Sequence, residues 1–242
     1  MNHRYLLRYN ITNKFQAVRD ARSFVKIQKL LRLSINRALL IEKKIPGERK
    51  PPYMPFADDL RRIVESNEAF MEVLRAVRSV SPPSWCVGAG AVRSLVWDVL
   101  HGRQGWRVPA DIDVAYFDGG DLSEESEAGY ATALRALRPD LPWEVVNQAR
   151  VHLWYGQRFG QTVPALHTLE EALATWPEYA TCVGVRLNED DGLEIIAPFG
   201  LSDLFSMTLR HNPSRVGAAE YRARQQAKRY PERWPRVTVV LP

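Results

Sequence analysis

The 242-residue sequence has only two cysteines, Cys86 and Cys182, both in apolar, strand-like segments and without the spacing of a metal cluster. That argues against a disulfide framework and a thiolate metal site, and points to buried thiols in a reducing compartment, the cytoplasm. No apolar run approaches the roughly 20 residues of a membrane span, and no apolar segment followed by a small-residue cleavage site opens the chain. Internal repeats and low-complexity tracts are absent. Lysine nearly disappears after Lys50: Lys228 alone remains, and arginine supplies the rest of the positive charge. What is present, 45% hydrophobic and 25% charged residues, is the composition of a globular protein. The length suits one domain of ordinary to large size, or one plus an appendage.

The net charge of +5 conceals a division. Residues 1–53 hold thirteen Lys and Arg against three Asp and Glu, a balance of +10, and the remainder carries −5. Phe15, Val18, Ala21, Val25, Leu30, Leu31, Leu39 and Leu40 recur among the basic residues at helical spacing, which predicts a basic helix over 15–41. Pro46-Gly47, Pro51-Pro52 and Pro55 then read as a linker. Residues 1–53 are therefore expected to be a basic helical extension, and 54–242 the working domain. The extension is either an arm that docks on nucleic acid or another anionic surface, or a segment without catalytic relevance, the working protein beginning near Met54.

The body alternates elements. A periodic amphipathic helix is predicted over 58–80, ended by Pro82-Pro83. A short strand at Trp85-Cys86-Val87 leads through Gly88-Ala89-Gly90 into a helix over 91–100. After a loop come a strand over 111–117, a helix over 124–137, a strand over 143–147 and a hydrophobic stretch around 151–155. A short helix at 169–174, strands at 182–187 and 193–196 joined by the hairpin signal Asp190-Asp191-Gly192, and helices at 201–209 and 222–229 complete it. Strands joined both by hairpin and by helix imply an α+β fold: a mixed or antiparallel sheet with flanking helices.

The chemistry concentrates in Asp111-Ile112-Asp113-Val114. Strand side chains alternate faces, so Asp111 and Asp113 share one, roughly 7 Å apart at Cβ, while Ile112 and Val114 fix the register on the other. Two like charges on an apolar strand repel and resist desolvation, which pushes at least one toward its neutral form unless a cation lies between them. Mg²⁺ takes one or two carboxylates and keeps its other positions for water and phosphate oxygens, so the pair suits phosphoryl transfer. Upstream, Gly88-Ala89-Gly90 joins strand to helix. Small residues there permit close backbone approach, and helix N-terminal N–H groups attract phosphate; such a turn also occurs simply for packing.

Strand, Gly-rich turn, helix and Asp-x-Asp strand occur in the same order in the DNA polymerase beta-like nucleotidyltransferase superfamily, which the chain resembles. Gly88-Ala89-Gly90-Ala91-Val92-Arg93, Val96-Trp97-Asp98-Val99-Leu100-His101-Gly102 and residues 111–118 look more narrowly like a bacterial nucleotidyltransferase-like family of unassigned substrate. So do Trp143-Glu144-Val145-Val146-Asn147-Gln148-Ala149-Arg150-Val151-His152 and Ala197-Pro198-Phe199-Gly200-Leu201 with Asp203-Leu204-Phe205. The resemblance spans about residue 56 to the C-terminus. It implies a nucleotidyltransferase-like core that transfers a nucleoside monophosphate from a nucleoside triphosphate to an unknown hydroxyl acceptor. It further implies that Asp111 and Asp113 hold Mg²⁺ or Mn²⁺, and that Gly88, Ala89 and Gly90 meet the triphosphate; Arg93, on the first turn of the helix that follows, could reach a phosphate or form a surface ion pair. A third carboxylate from a neighbouring strand is expected, with Glu144 the first candidate and Glu194 its rival.

Asn147, Gln148 and Arg150, just past the third strand, could read a base, ribose or acceptor, with Arg150 neutralising charge on the transferred group. Alternatively Asn147 and Gln148 satisfy strand-end backbone groups, and Arg150 pairs with Glu144 or a sheet-edge acid. Asp98 is expected to be an exposed helical acid, His101-Gly102 a helix cap, Asp118 a turn acid, and Trp97, Trp143 and Trp176 core. Two competing readings remain: a catalytically inactive module that binds nucleic acid or an anionic partner through its basic arm, and a metal-dependent nuclease, for which no lysine is evident beside the strand acids.

Overall fold

The computed structural model describes residues 54–242; the expected basic helix over 15–41 and its linker up to residue 53 lie outside them. Where one helix over 58–80 was expected, two form: α1, Ala57–Glu65, and α2, Glu68–Val80. Asn67 separates them because its side-chain oxygen accepts from the Phe70 N–H at 2.9 Å, a capping bond that competes with continuation of the helix. Both helices bury one apolar stripe, Leu60, Ile63 and Val64 on α1, and Phe70, Val73, Leu74 and Val77 on α2.

β1, Trp85–Gly88, runs without a loop into α3, Ala89–Leu100. β2, Ile112–Tyr116, is followed by α4, Glu124–Leu137, and β3, Trp143–Asn147. The helix starts at Ser123, whose side chain accepts from the Ser126 N–H, and its acidic first turn suits the helix dipole. β2 and β3 are parallel, as a helical crossover between them requires. β4, Gly184–Leu187, and β5, Leu193–Ile196, form an antiparallel hairpin. The five strands make one mixed sheet in the order β3-β2-β1-β4-β5, with β1 antiparallel to both neighbours.

The hydrophobic stretch after β3 becomes α5, Val151–Phe159, and α6 covers Leu169–Leu173. The helix expected over 201–209 is only α7, Ser202–Phe205. Met207 then adopts a left-handed φ of 55°, and β6, Thr208–Arg210, pairs in parallel with β7, Thr238–Val240. Between these strands lie α8, Ala218–Lys228, and α9, Tyr230–Arg233.

Trp97 and Trp234 are fully buried and meet edge to face at 5.3 Å, tying the C-terminal segment to α3. Asp98 is buried, not exposed as expected. It accepts from the Trp234 indole at 2.8 Å and from Arg103 at 2.8 Å, so it fastens the end of the chain to α3. Cys86 and Cys182 are free and buried, and burial pushes both thiols up to about 12.

Candidate active site

Three carboxylates line one cavity where β2 and β3 begin. Asp111 immediately precedes β2, and Asp113 lies two residues on along the same face. The parallel register sets Asp113 beside Glu144. The Gly90 N–H, in the first turn of α3, donates to the Asp113 carboxylate. A Cβ built on Gly90 would stand 3.8 Å from an Asp111 oxygen, 3.8 Å from an Asp113 oxygen and 3.7 Å from an Arg93 guanidinium nitrogen. The missing side chain thus leaves a cradle bounded by two carboxylates and one cation.

The electrostatic conflict foreseen for an Asp-x-Asp strand is present. Burial, then the neighbouring Asp111 and Glu144 charges, push the Asp113 carboxyl up to about 6, against the opposing pull of the Gly90 N–H and of Arg93. Arg93 is buried rather than paired at the surface. Its guanidinium donates to the Tyr230 hydroxyl at 3.1 Å and stacks 4.5 Å from that ring, with Trp97 and Trp234 at 5.5 and 5.7 Å. An aromatic cage of this kind holds the cation in place and leaves its outer edge turned to the carboxylates.

Ala89 and Gly90 line this cavity, of about 300 Å³, but neither presents a free N–H. Ala89 donates to the Val183 carbonyl at 3.2 Å, and Gly90 to Asp113. The turn shapes the cradle and does not form a nest of open donors. Gly88 has a different role from the expected phosphate contact: a Cβ there would come within 2.9 Å of the Trp176 ring and of the Val183 carbonyl. Trp176, expected in the core, lies on this glycine and walls the cavity.

Glu144 is exposed and reaches the cavity. Glu194, the rival third acid, lies on β5, beyond β1 and β4, engaged by Arg186 through two bonds of 2.9 and 2.8 Å. The opposite wall comes from α8 and α9: Arg224, Lys228 and Tyr230. Arg224 is paired at 2.7 Å with the buried Glu178. No local pattern announces these residues, more than a hundred positions from Asp113; the one hint was that Lys228 is the single lysine after Lys50.

The expected substrate-reading cluster is divided. Asn147 is fully buried, and its amide is saturated: the oxygen accepts from the Asp118 and Ala149 N–H groups, and the nitrogen donates to the Asp118 and Asp121 carbonyls. Arg150 is buried and bonds Glu124 at 2.7 Å, Glu127 at 3.2 Å and the Leu122 carbonyl at 3.2 Å. These two correct the expectation of substrate contacts, since both are consumed in anchoring the start of α4 to the end of β3. Nor does Arg150 pair with Glu144. Gln148 remains on the cavity wall with a single long bond, 3.5 Å, to the Val146 carbonyl. Asp118 is a turn acid as expected, accepting from the N–H groups of Gly120 and Asp121, and His101 is the C-cap of α3.

Among the described residues no three Asp, Glu, His or Cys side chains form a group that would hold a metal ion by itself. The donor set instead fits an ion that takes two carboxylates and completes its shell with phosphate oxygens and water, as Mg²⁺ and Mn²⁺ do. The Gly90 cradle and the crowding that raises Asp113 both mark the space between Asp111 and Asp113 as suited to a cation.

An acid pair beside a strand-to-helix turn is the arrangement that the resemblance to nucleotidyltransferases implies. Residues 75–239 match the nucleotidyltransferase family, and the chain belongs to it. A solved structure described as revealing a CCA-adding enzyme head domain is 25% identical, with a TM-score of 0.65 over 76% of this chain and 96% of that one. Complexes of a CCA-adding enzyme with CTP and with ATP match at 15% and 17% identity, with TM-scores of 0.46 and 0.44; they pair 75% and 76% of this chain with 43% of theirs. No curated protein matches the sequence. The α+β architecture, a mixed sheet with flanking helices, is a nucleotidyltransferase core.

Proposed function

We propose that the protein transfers a nucleoside monophosphate from a nucleoside triphosphate to a hydroxyl acceptor, with Mg²⁺ or Mn²⁺ held by Asp111 and Asp113 and with Glu144 as the third acid. The observation that carries this is the convergence of both aspartates and Arg93 on the empty side of Gly90, with Glu144 in register beside Asp113. Bound there, a divalent ion would neutralise triphosphate charge and acidify the attacking hydroxyl.

The residues of the chain do the rest by position. The caged Arg93 faces the developing negative charge from a site that needs no reorganisation. Lys228 brings positive charge to the opposite wall, against the phosphates, while Arg224 beside it is compensated by Glu178. The acceptor oxygen bonds to the α-phosphorus as the bond from that phosphorus to the β-phosphate bridging oxygen breaks. Pyrophosphate leaves with the electron pair, and the hydroxyl proton passes through Glu144 to solvent. Catalysis is then mostly alignment and charge neutralisation along an in-line path.

Calorimetric titration with each nucleoside triphosphate, with and without Mg²⁺ or Mn²⁺, tests the assignment. Metal-dependent binding is expected in the wild type and lost in Asp111→Ala and Asp113→Ala, with transfer to any acceptor falling by about a thousandfold or more. Equal metal-dependent binding with and without these carboxylates would sink it.

A further inference from the structure

A second cavity, of about 660 Å³, adjoins the first. Glu144, Val146, Gln148, Trp176, Pro177 and Arg224 border both, so Glu144 stands on the partition between them. The outer wall of the second cavity is unlike that of the first. It carries Trp154, Tyr155 and Phe159 from α5, with two arginines laid against them. The Arg158 guanidinium lies 5.9 Å from the Trp154 ring and 5.5 Å from Phe159, and that of Arg215 lies 5.4 Å from Tyr155. Phe159 is 43% exposed, so its ring is open to a ligand at the cavity mouth.

The charges on this wall are unequal. Glu124 and Glu127 share one arginine, Arg150, and Glu220 also lines the cavity. Among the described residues neither Arg158 nor Arg215 has a carboxylate partner, and one terminal guanidinium nitrogen of Arg215 is buried without a hydrogen bond. Burial also lowers the Arg215 pKa, so an anion there would stabilise its charge. The wall therefore offers aromatic faces and unspent cations, and its inner edge is a carboxylate shared with the site of transfer.

We infer that this second cavity holds the acceptor, and that the acceptor is a nucleotide: its base lies against Trp154, Tyr155 and Phe159, its phosphate meets Arg158 and Arg215, and its hydroxyl turns toward Glu144. The inference rests on the transfer reaction proposed above. A sugar phosphate has no flat π-face to stack on the rings, and an apolar alcohol would leave both arginines unpaired. The shared chemistry can come from a free nucleotide or from the end of a single strand.

The test uses the full chain. Adenosine 5′-monophosphate and a short 5′-labelled single-stranded oligoribonucleotide are titrated without metal, and Mg²⁺–ATP is titrated separately, against wild type, Phe159→Ala, Arg158→Glu and Asp111→Ala. Both outer-wall variants change exposed residues, and thermal melting confirms that they fold. Phe159→Ala decides the matter, because it leaves unchanged whatever residues 1–53 contribute by charge. Expected is a loss of about tenfold in probe affinity in Phe159→Ala and in Arg158→Glu, with Mg²⁺–ATP affinity kept. Asp111→Ala is expected to do the reverse. Binding of the monophosphate identifies a free nucleotide as the acceptor, and binding of the oligonucleotide alone identifies a strand end. The inference is overturned if neither probe binds the wild type, if Phe159→Ala binds both as the wild type does, or if it loses Mg²⁺–ATP equally. An Asp111→Ala variant that keeps Mg²⁺–ATP binding would instead overturn the donor site, a separate failure.

Discussion

The two ends of β3 carry polar side chains of similar type and opposite fate. At its start Glu144 is exposed beside Asp113, has no hydrogen-bonded partner among the described residues and faces both cavities. At its end Asn147 and Arg150 are buried, with their donors and acceptors matched by backbone groups and by Glu124 and Glu127. A buried polar group must find partners inside the protein, and one that has found them all has nothing left for a ligand. The groups at one end are unspent and in conflict, and those at the other are reconciled with their surroundings.

The largest expected effect that could break this contrast is at the reconciled end. Arg150→Ala would leave Glu127 facing a vacated site and the Leu122 carbonyl without its donor, a loss of about 3 kcal/mol of folding stability. Thermal or urea unfolding reads that loss, and at a temperature where the variant is folded its metal-dependent triphosphate affinity should equal that of the wild type. A stable variant with weakened binding would return Arg150 to the site.

What was legible in the sequence followed from short-range physics. The two-residue period of a strand put Asp111 and Asp113 on one face, and turn chemistry located the β4–β5 hairpin, where Asn188 accepts from the Gly192 N–H at 2.6 Å. The strands over 143–147 and 193–196 and the helix over 124–137 form where periodicity placed them. Long-range pairing was not legible. The apolar run after Leu201 has helical periodicity, yet its second half is claimed by β7, some thirty residues later. Lys228, Arg224 and Trp176 reach the cavity only because α8 and the segment before β4 fold over the carboxylates. Residue type alone misassigned Asn147 and Arg150, because partners, which a sequence does not display, decide whether an amide or a guanidinium is free.

A smaller effect sharpens the contrast at the unspent end. A methyl group at position 90 meets its neighbours only at 3.7 to 3.8 Å, ordinary contact distances, so Gly90→Ala should fold with stability within about 0.5 kcal/mol of wild type. The same methyl group stands 3.8 Å from an oxygen of each aspartate, and metal-dependent triphosphate affinity should fall by about tenfold or more. Calorimetry and a melting curve on one preparation separate the two readouts. Unchanged affinity would show that neither ion nor phosphate enters the cradle.

The smallest expected effect concerns the cost of keeping the acids together without an ion. The Asp113 carboxyl is raised from the ordinary 3.8 to about 6 in the folded protein, so the native state binds a proton more tightly than the unfolded chain does. Its contribution to stability is fully present below pH 3.8, shrinks as pH rises through about 6, and beyond that leaves a buried, crowded anion. Asparagine is neutral and nearly isosteric. In metal-free buffer Asp113→Asn should therefore be more stable than wild type at pH 8, by on the order of 1–2 kcal/mol, with the advantage vanishing toward pH 4. Added Mg²⁺ should raise the wild-type melting temperature and leave that of Asp113→Asn nearly unchanged, because the ion relieves a repulsion that the variant no longer has. A variant that melts below wild type at pH 8 without metal would show that Asp113 is reconciled with its surroundings, as Asn147 is, and would erase the distinction between the two ends of β3.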